Sequence, residues 1–84
     1  MAKLRNRFVD LQEVLNAVTC SRSTLFREIK FGAFPTPIAV ALRRKAWLKN
    51  EVETVNAARA AGKPRSEILT IVKELVSART KEAA

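Results

Sequence analysis

Two prolines separated by one residue, in Phe34-Pro35-Thr36-Pro37, end the helical pattern of the first part of the chain. Proline lacks a backbone N–H, and it disfavours helical geometry at the residue before it. The backbone is therefore held extended here, and no helix can pass through. With 84 residues the chain is long enough for one small domain and too short for two. We therefore expect a helical unit before this segment and a change of structure after it.

A short helix is predicted just after residue 10. Asp10 can cap its N-terminus, and Glu13, three residues later, can complete a capping box. The helix runs to about residue 18, and apolar residues recur along it at spacings of three and four. Its apolar face is formed by Leu11, Val14, Leu15 and Val18.

A tight turn and a second helix follow. Thr19-Cys20-Ser21 leaves room for no more than a turn, Ser21 is a good N-cap, and Gly32 can supply a left-handed C-terminal cap. Two short helices joined this closely have the spacing of a helix-turn-helix. Cys20 lies where an apolar residue would fill the angle between the helices. Because no other cysteine and no histidine could assist a reactive thiol, we interpret it as a small core residue.

The second helix has two chemically different faces. Leu25 and Ile29 lie four residues apart and can enter a core, while hydroxyl and cationic side chains project elsewhere. In the recognition helix of a helix-turn-helix such groups contact phosphates and major-groove base edges. The alternative is an ordinary amphipathic helix with a solvated basic face. The candidate DNA-binding residues are Ser21, Arg22, Ser23, Thr24, Arg27 and Lys30.

A β-hairpin is predicted after the prolines. Ile38-Ala39-Val40 and Lys45-Ala46-Trp47-Leu48 have the character of short strands, and Trp47 is a large apolar anchor for so small a sheet. Three adjacent cations fall at or beside the hairpin tip. They can form a basic wing on a DNA backbone, or they can be a solvated surface turn. The candidate wing residues are Arg43, Arg44 and Lys45.

Residues 1–7 are polar and basic and show no periodicity. We expect either a flexible arm that contacts phosphates or the minor groove of DNA, or a solvated terminus. The candidate DNA-binding residues of this arm are Lys3, Arg5 and Arg7.

A third helix is predicted after the hairpin. Asn50 and Glu53 form a second capping-box pattern, with Asn50 as the cap. The helix runs to about Ala61, where Gly62 stops it. Its apolar stripe is thin, so we expect it to cover the core.

The last helix, from about Pro64 or Arg65 to Ala78, has the strongest apolar periodicity in the chain. Its stripe has to be buried, either by folding back on its own domain or by meeting a second copy in a homodimer. A membrane-surface role is disfavoured, because the polar face of the helix is mixed in sign. The candidate packing or dimer-interface residues are Ile68, Ile71, Val72, Leu75 and Val76.

Positive charge is concentrated in the first part of the chain. The net charge is +8, and residues 1–49 hold +7 of it, with ten basic and three acidic residues. Such a balance favours a polyanionic partner. We therefore expect binding to a polyanion through residues 1–49 and a different role for the remainder.

Composition also disfavours several classes of protein. With one cysteine and no histidine, the chain cannot assemble the usual zinc sites or His-based catalysis, so we expect no cofactor and no enzymatic activity. No apolar run approaches the roughly 18 residues of a spanning helix, and the N-terminus has no signal-peptide segment. A cytoplasmic protein without disulfides or a membrane partner is expected.

The order of these features resembles the AlpA family of phage and prophage regulators, which are small winged-helix proteins related to excisionases and to MerR-like DNA-binding domains. The resemblance covers roughly residues 7–59. It rests on the order and spacing of three stretches, which are Ser21 to Arg27, Phe34-Pro35-Thr36-Pro37, and Ala46-Trp47 with Glu51-Val52 behind them.

Together with the patterns above, the resemblance implies a mainly α fold with a small β-hairpin. Residues 8–61 would form a winged helix-turn-helix DNA-binding domain, preceded by the arm at residues 1–7. An amphipathic C-terminal helix in residues 62–84 would extend beyond the usual family core, so its role cannot be inferred from the resemblance.

By position, the resemblance implies that Ser21 to Lys30 is the recognition helix and that Ile38 to Leu48 is the wing. The chain departs from the family at two turns. Members usually have glycine where this chain has Thr19, and glycine-rich wing tips where it has Ala41-Leu42-Arg43. These departures bear on the angle between the helices and on the reach of the wing.

Three functions fit these features. The resemblance implies a sequence-specific regulator that binds double-stranded DNA and controls phage, prophage or integrated-element genes, sometimes by promoting excision. The second is a small terminase-like DNA-packaging subunit, which also uses a compact winged helix-turn-helix. The third is a protein-interaction module that uses the stripe of the last helix while the basic half is merely solvated.

Overall fold

The computed structural model describes residues 7–83 and, for side chains, residues 7–79. In this part of the chain a three-stranded antiparallel sheet and four helices surround one core. The predicted fold class is confirmed, a mainly α winged helix-turn-helix with an additional C-terminal helix. In chain order the elements are β1 (Phe8–Val9), α1 (Leu11–Val18), α2 (Arg22–Phe31), β2 (Ile38–Ala41), β3 (Arg44–Leu48), α3 (Lys49–Ala60) and α4 (Arg65–Ala83).

The capping box at the start of α1 is confirmed. The backbone N–H of Glu13 donates to the Asp10 carboxylate at 2.9 Å, and the backbone N–H of Asp10 donates to the Glu13 carboxylate at 3.0 Å. Two amide donors that no helical carbonyl could satisfy are thus paired. This local signal sets where α1 begins.

Both caps of α2 are also confirmed. Ser21 Oγ accepts from the backbone N–H of Thr24 at 3.2 Å at the N-terminal end. At the other end Gly32 has φ 95°, and this left-handed geometry lets its N–H and that of Ala33 reach the Glu28 carbonyl at 3.1 and 2.9 Å. The predicted recognition helix therefore has well-defined ends.

The turn between α1 and α2 places Thr19 in the left-handed region, with φ 49° and ψ 49°. An L-residue with a β-branched side chain is strained in this conformation. The Thr19 hydroxyl donates to the Val18 carbonyl at 2.8 Å. The turn therefore has the backbone geometry that glycine favours, although threonine occupies it, and the helix-turn-helix forms nonetheless.

Replacing Thr19 by glycine should raise the free energy of unfolding by about 0.5 to 1 kcal/mol. Relief of left-handed strain, worth about 1 to 2 kcal/mol, exceeds the extra backbone entropy that glycine loses on folding. Thr19→Ala is the matched control, because it also removes the hydroxyl but keeps a Cβ in the strained position. Urea denaturation gives the comparison, and a glycine variant no more stable than the alanine variant would refute this explanation.

β3 is the central strand of the sheet, whose order is β1-β3-β2. It forms the predicted hairpin with β2, and on its other edge it pairs antiparallel with β1, which places Phe8 opposite Leu48 and Val9 opposite Trp47. The sequence did not predict β1, because two residues are too few to show the alternation of a strand. Because β1 ends two residues before α1 begins, its pairing with β3 holds the start of α1 beside the hairpin.

Trp47 anchors the core, as predicted. It is 2% exposed, and its indole N–H donates to the Pro35 carbonyl at 3.0 Å. This bond connects β3 to residues 34–37, the extended stretch that contains Pro35 and Pro37 and is called the proline segment below. The other large, fully buried side chains come from α1, α2, residues 34–37 and α3, and they are Val14, Leu25, Phe34, Pro35 and Val55.

The predicted capping box at the start of α3 is wrong. The helix begins at Lys49, with Leu48 as a cap that makes no side-chain hydrogen bond, so Asn50 lies inside the first turn. The reason is that β3 continues directly into α3, since the N–H of Lys49 donates to the Arg7 carbonyl at 2.6 Å beside the β1–β3 ladder. Glu53 lies 3.9 Å from the Lys49 ammonium, at the i,i+4 spacing of an exposed helical ion pair.

α4 folds back on its own domain. Ile68 and Val72 are each 5% exposed and belong to the core, while Ile71, Leu75 and Val76 are half-buried against it. The apolar stripe of α4 is therefore buried within a single chain, which is the first of the two predicted arrangements. The homodimer interface therefore stays a prediction without support among the described residues. α4 is also longer than predicted, ending at Ala83 and not at Ala78.

A buried ion pair fastens the end of α4 to α3. Glu51 is 2% exposed, and Arg79 donates to its two carboxylate oxygens at 2.6 and 2.9 Å. The same guanidinium donates to the carbonyl of Thr36 at 2.8 Å and to its hydroxyl at 3.3 Å. Arg79 thus joins α3, α4 and the proline segment, three elements far apart in sequence.

Candidate nucleic-acid interface

The outward face of α2 carries most of the predicted recognition residues. Arg22, Ser23, Arg27 and Lys30 are exposed, and no described carboxylate pairs with them. Leu25 and Ile29 lie on the opposite side, in or against the core. Because α2 is held at both ends and along one side, these four side chains project from a fixed support.

Two predicted residues are placed differently. Thr24 is half-buried, and its Oγ1 accepts a hydrogen bond from Ser21 Oγ at 3.0 Å. Ser21 is exposed but also accepts the cap bond from the Thr24 N–H. Both hydroxyls therefore serve the N-terminal end of α2, and Thr24 lines a cavity together with Lys63 and Arg65.

The predicted wing is the β2–β3 hairpin. Leu42 and Arg43 form its two-residue turn, since Ala41 pairs with Arg44, and a register shift between Ala39 and Ala41 marks a bulge in β2. Arg43 lies at the tip, and Arg44 and Lys45 are the first residues of β3. All three predicted cations are exposed and accessible to an anion. Leu42, which precedes them, is also exposed.

A groove of about 360 Å³ separates α2 from the wing. Arg22 and Phe26 line it from α2, and Phe26 is 41% exposed. The floor is apolar and includes Trp47 and Pro37. The wing side is lined by Leu42, Arg43, Arg44 and Lys45. The structure therefore brings one cation of α2, Arg22, and three cations of the wing, about twenty residues away in sequence, to the two sides of one groove.

Of the predicted arm, only Arg7 lies within the described residues; Lys3 and Arg5 lie outside them. Arg7 is exposed, and its carbonyl accepts from the Lys49 N–H. Its backbone is therefore attached to the start of α3 beside the sheet. This position adds a cation next to β1.

Residues beyond the predicted site hold α2 in place. Glu28, the one carboxylate of α2, accepts from Arg59 at 3.4 Å and from Arg65 at 3.2 Å. Arg59 also donates to the Ala33 carbonyl at 3.0 Å, and the Arg65 guanidinium lies 4.3 Å from the centre of the Phe31 ring. Sequence analysis missed this cluster. An acidic residue in an otherwise basic helix was the available signal, but its partners lie 31 and 37 residues away.

The exposed side chains of α2 and the wing can make ionic contacts and hydrogen bonds. No group of three or more metal-binding side chains occurs in residues 7–83. In the same residues no helix is long and apolar enough to cross a membrane. The exposed groups of α2 and the wing include cations and a hydroxyl, which bind nucleic-acid phosphates and base edges, together with two phenylalanine rings and the aliphatic side chains of Val40 and Leu42.

A family model described as "Prophage CP4-57 regulatory protein (AlpA)" matches residues 7–59, which is more than half of the chain. The chain belongs to the AlpA family. The resemblance predicted from the sequence is thereby confirmed, and the family is one of prophage regulatory proteins. Within the AlpA match lie the whole sheet, both helices of the helix-turn-helix and nearly all of α3; α4 lies outside it.

A relative of this chain is found in Enterobacteria phage P4. It carries the name "Uncharacterized protein ORF88" and is 36% identical over 61 residues, which cover 73% of this chain and 69% of the relative. No solved structure matches the chain. The cluster around Glu28 crosses the boundary of the AlpA match. Glu28 and Arg59 lie within the match, whereas Arg65, which contacts Glu28 and the Phe31 ring, lies outside it.

Proposed function

We propose that this AlpA-family protein is a sequence-specific DNA-binding regulator of phage or integrated-element genes, acting in the cytoplasm where that DNA lies. α2 enters the major groove, and the wing lies on the adjacent backbone. The observation that carries the proposal is the groove between α2 and the wing, with Arg22 on one side and Arg43, Arg44 and Lys45 on the other. A sugar-phosphate strand is a polyanion that matches a groove with cations on both sides.

Roles can be assigned to individual side chains under this proposal. Arg27 is exposed at the middle of α2, where its guanidinium can make the bidentate contact to guanine that specifies sequence, and Ser23 is exposed in the first turn of the same helix. Lys30 and the wing cations contact phosphates, which fix orientation without reading sequence. Ser21 and Thr24 act first as the cap that fixes the start of α2.

The packing of α4 favours DNA binding over the protein-interaction alternative. That alternative requires a free apolar stripe, and Ile68 and Val72 of the stripe are buried in the chain's own core. No observation specifically favours the DNA-packaging alternative.

Selection of bound sites from random duplexes, followed by two substitutions, tests the proposal. Arg27→Ala should weaken binding to the selected site by about 1 to 3 kcal/mol and relax its sequence preference. Arg44→Ala should weaken binding to all sequences and flatten the slope of log K against log salt by about one unit.

Lys73→Ala is the matched control, because Lys73 is an exposed cation on α4, away from α2 and the wing. It should leave sequence preference unchanged. If both arginine variants bind the selected site as tightly as the wild type, the assignment of α2 and the wing is wrong. The symmetry of the selected site also tests the homodimer, since a palindrome with half-sites one helical turn apart indicates two copies.

A further inference from the structure

The tip of the wing carries a leucine that contributes nothing to the core. Leu42 is 98% exposed, whereas the other large exposed apolar residues of the described chain are between 41% and 56% exposed. It occupies the first position of a two-residue hairpin turn, where its φ is negative, so the backbone there neither requires glycine or asparagine nor selects leucine. Neither packing nor turn geometry therefore calls for a leucine at this position.

The surroundings of Leu42 indicate the chemistry of a partner. Arg43, Arg44 and Lys45 follow it directly and are exposed, so cations border the apolar side chain at the tip of the wing. An apolar protein surface would have to desolvate these cations without compensation. A nucleic-acid duplex offers phosphates for the cations and stacked base edges for the leucine.

The position of the tip relative to α2 selects a groove of the duplex. Leu42 and Arg22 line the same groove of the protein, which the proposed function assigns to one sugar-phosphate strand. With α2 in the major groove, the tip beyond that strand meets the adjacent minor groove. That groove is roughly 6 Å wide, too narrow for a helix but wide enough for the side chain of a hairpin turn.

We propose that Leu42 is an apolar wedge that enters the minor groove, partly unstacks one base step and bends the duplex, while the cations beside it bind the flanking phosphates. Apolar side chains used in this way include leucine, and the bend is directed toward the major groove. The wedge rests on the proposed function, and it adds DNA deformation as a source of specificity at bases that α2 does not touch.

The test uses Leu42→Asn, which keeps a turn-favouring residue and all of the cations, with Val40→Ala as the matched control on the same hairpin. The selected duplex carries a donor and an acceptor fluorophore at its two ends, so that energy transfer reports the end-to-end distance. A series of such duplexes carries 2-aminopurine at one base step each, so that its fluorescence reports unstacking at that step. The wild type and Val40→Ala should shorten the end-to-end distance and raise 2-aminopurine fluorescence at one step. Leu42→Asn should lose both signals and about tenfold in affinity, with an unchanged salt slope.

The outcomes separate this inference from the proposed function. If the wild type binds in a salt-dependent way but neither bends nor unstacks the duplex, the wedge is wrong and the proposed function stands. The same conclusion follows if Leu42→Asn bends the duplex as much as the wild type does. Absence of salt-dependent binding to any duplex overturns both. Leucine-dependent binding to vesicles of anionic phospholipid, in place of duplex deformation, would assign the tip to a membrane surface and overturn the wedge.

Discussion

Replacing Arg79 by alanine should lower the free energy of unfolding by about 3 to 5 kcal/mol, a large part of what a small domain has in total. The substitution leaves Glu51, which is 2% exposed, without its bidentate partner, and it also removes two donors from Thr36. An uncompensated buried charge is far more costly than the loss of an exposed ion pair. Urea denaturation followed by circular dichroism measures the change.

Two further variants isolate the cause of this loss. Glu51→Leu combined with Arg79→Met removes both charges and should be markedly more stable than Arg79→Ala, because no charge is left buried alone. Lys73→Ala, on the exposed side of the same helix, should change the free energy of unfolding by no more than about 0.5 kcal/mol. An Arg79→Ala protein as stable as the wild type would show that the pair does not fasten α4.

Replacing Trp47 by alanine should cost about 3 to 5 kcal/mol, since it empties the volume of the largest buried side chain. Trp47→Phe should cost less, about 1 to 3 kcal/mol, because most of the ring volume is retained while the buried Pro35 carbonyl loses its donor. The same denaturation experiment measures both. Equal costs for the two variants would mean that ring volume is not what Trp47 contributes.

Trp47 also connects stability to function. β3 carries Trp47 in the core and Lys45, two residues earlier, on the exposed wing. Trp47→Ala should therefore make the wing less ordered and weaken DNA binding, even at temperatures where the helices remain folded.

The local sequence signals at the ends of α1 and α2 were predicted correctly, whereas the equally local capping-box pattern of Asn50 and Glu53 was wrong. The capping box of α1, the Ser21 cap and the Gly32 cap of α2 each involve residues within four positions of one another. The prolines fixed the boundary between the helical pair and the hairpin for equally local reasons.

The parts that were missed depend on contacts distant in sequence. β1 exists because β3 is there to pair with it, and α3 begins early because β3 runs into it without a linker. Arg79 and Glu51 lie 28 positions apart, and no periodicity relates them. A pattern of residue types shows which faces are apolar, but it does not show which buried charges meet.

The candidate site follows the same division. Ser23, Thr24, Arg27 and Lys30 were predicted to face outward from the helical period alone; three of them are exposed, but Thr24 is half-buried. The half-buried position of Thr24 depends on α3 and α4 packing beside α2, and so does the cluster around Glu28. Cations of residues 50–84 thus hold α2 in place, which is a different role from the one expected for residues 1–49.

The most direct test of the central claim is equilibrium binding of the wild-type protein to a selected duplex and to a random duplex over a range of salt concentrations. Three phosphate contacts from the wing alone give a slope of log K against log salt of about −2.7, and further contacts make it steeper. We therefore predict a slope of about −3 or steeper on both duplexes, with the selected duplex bound at least about a thousandfold more tightly. Binding that is absent at low salt, or that shows no preference for the selected duplex, would contradict the account.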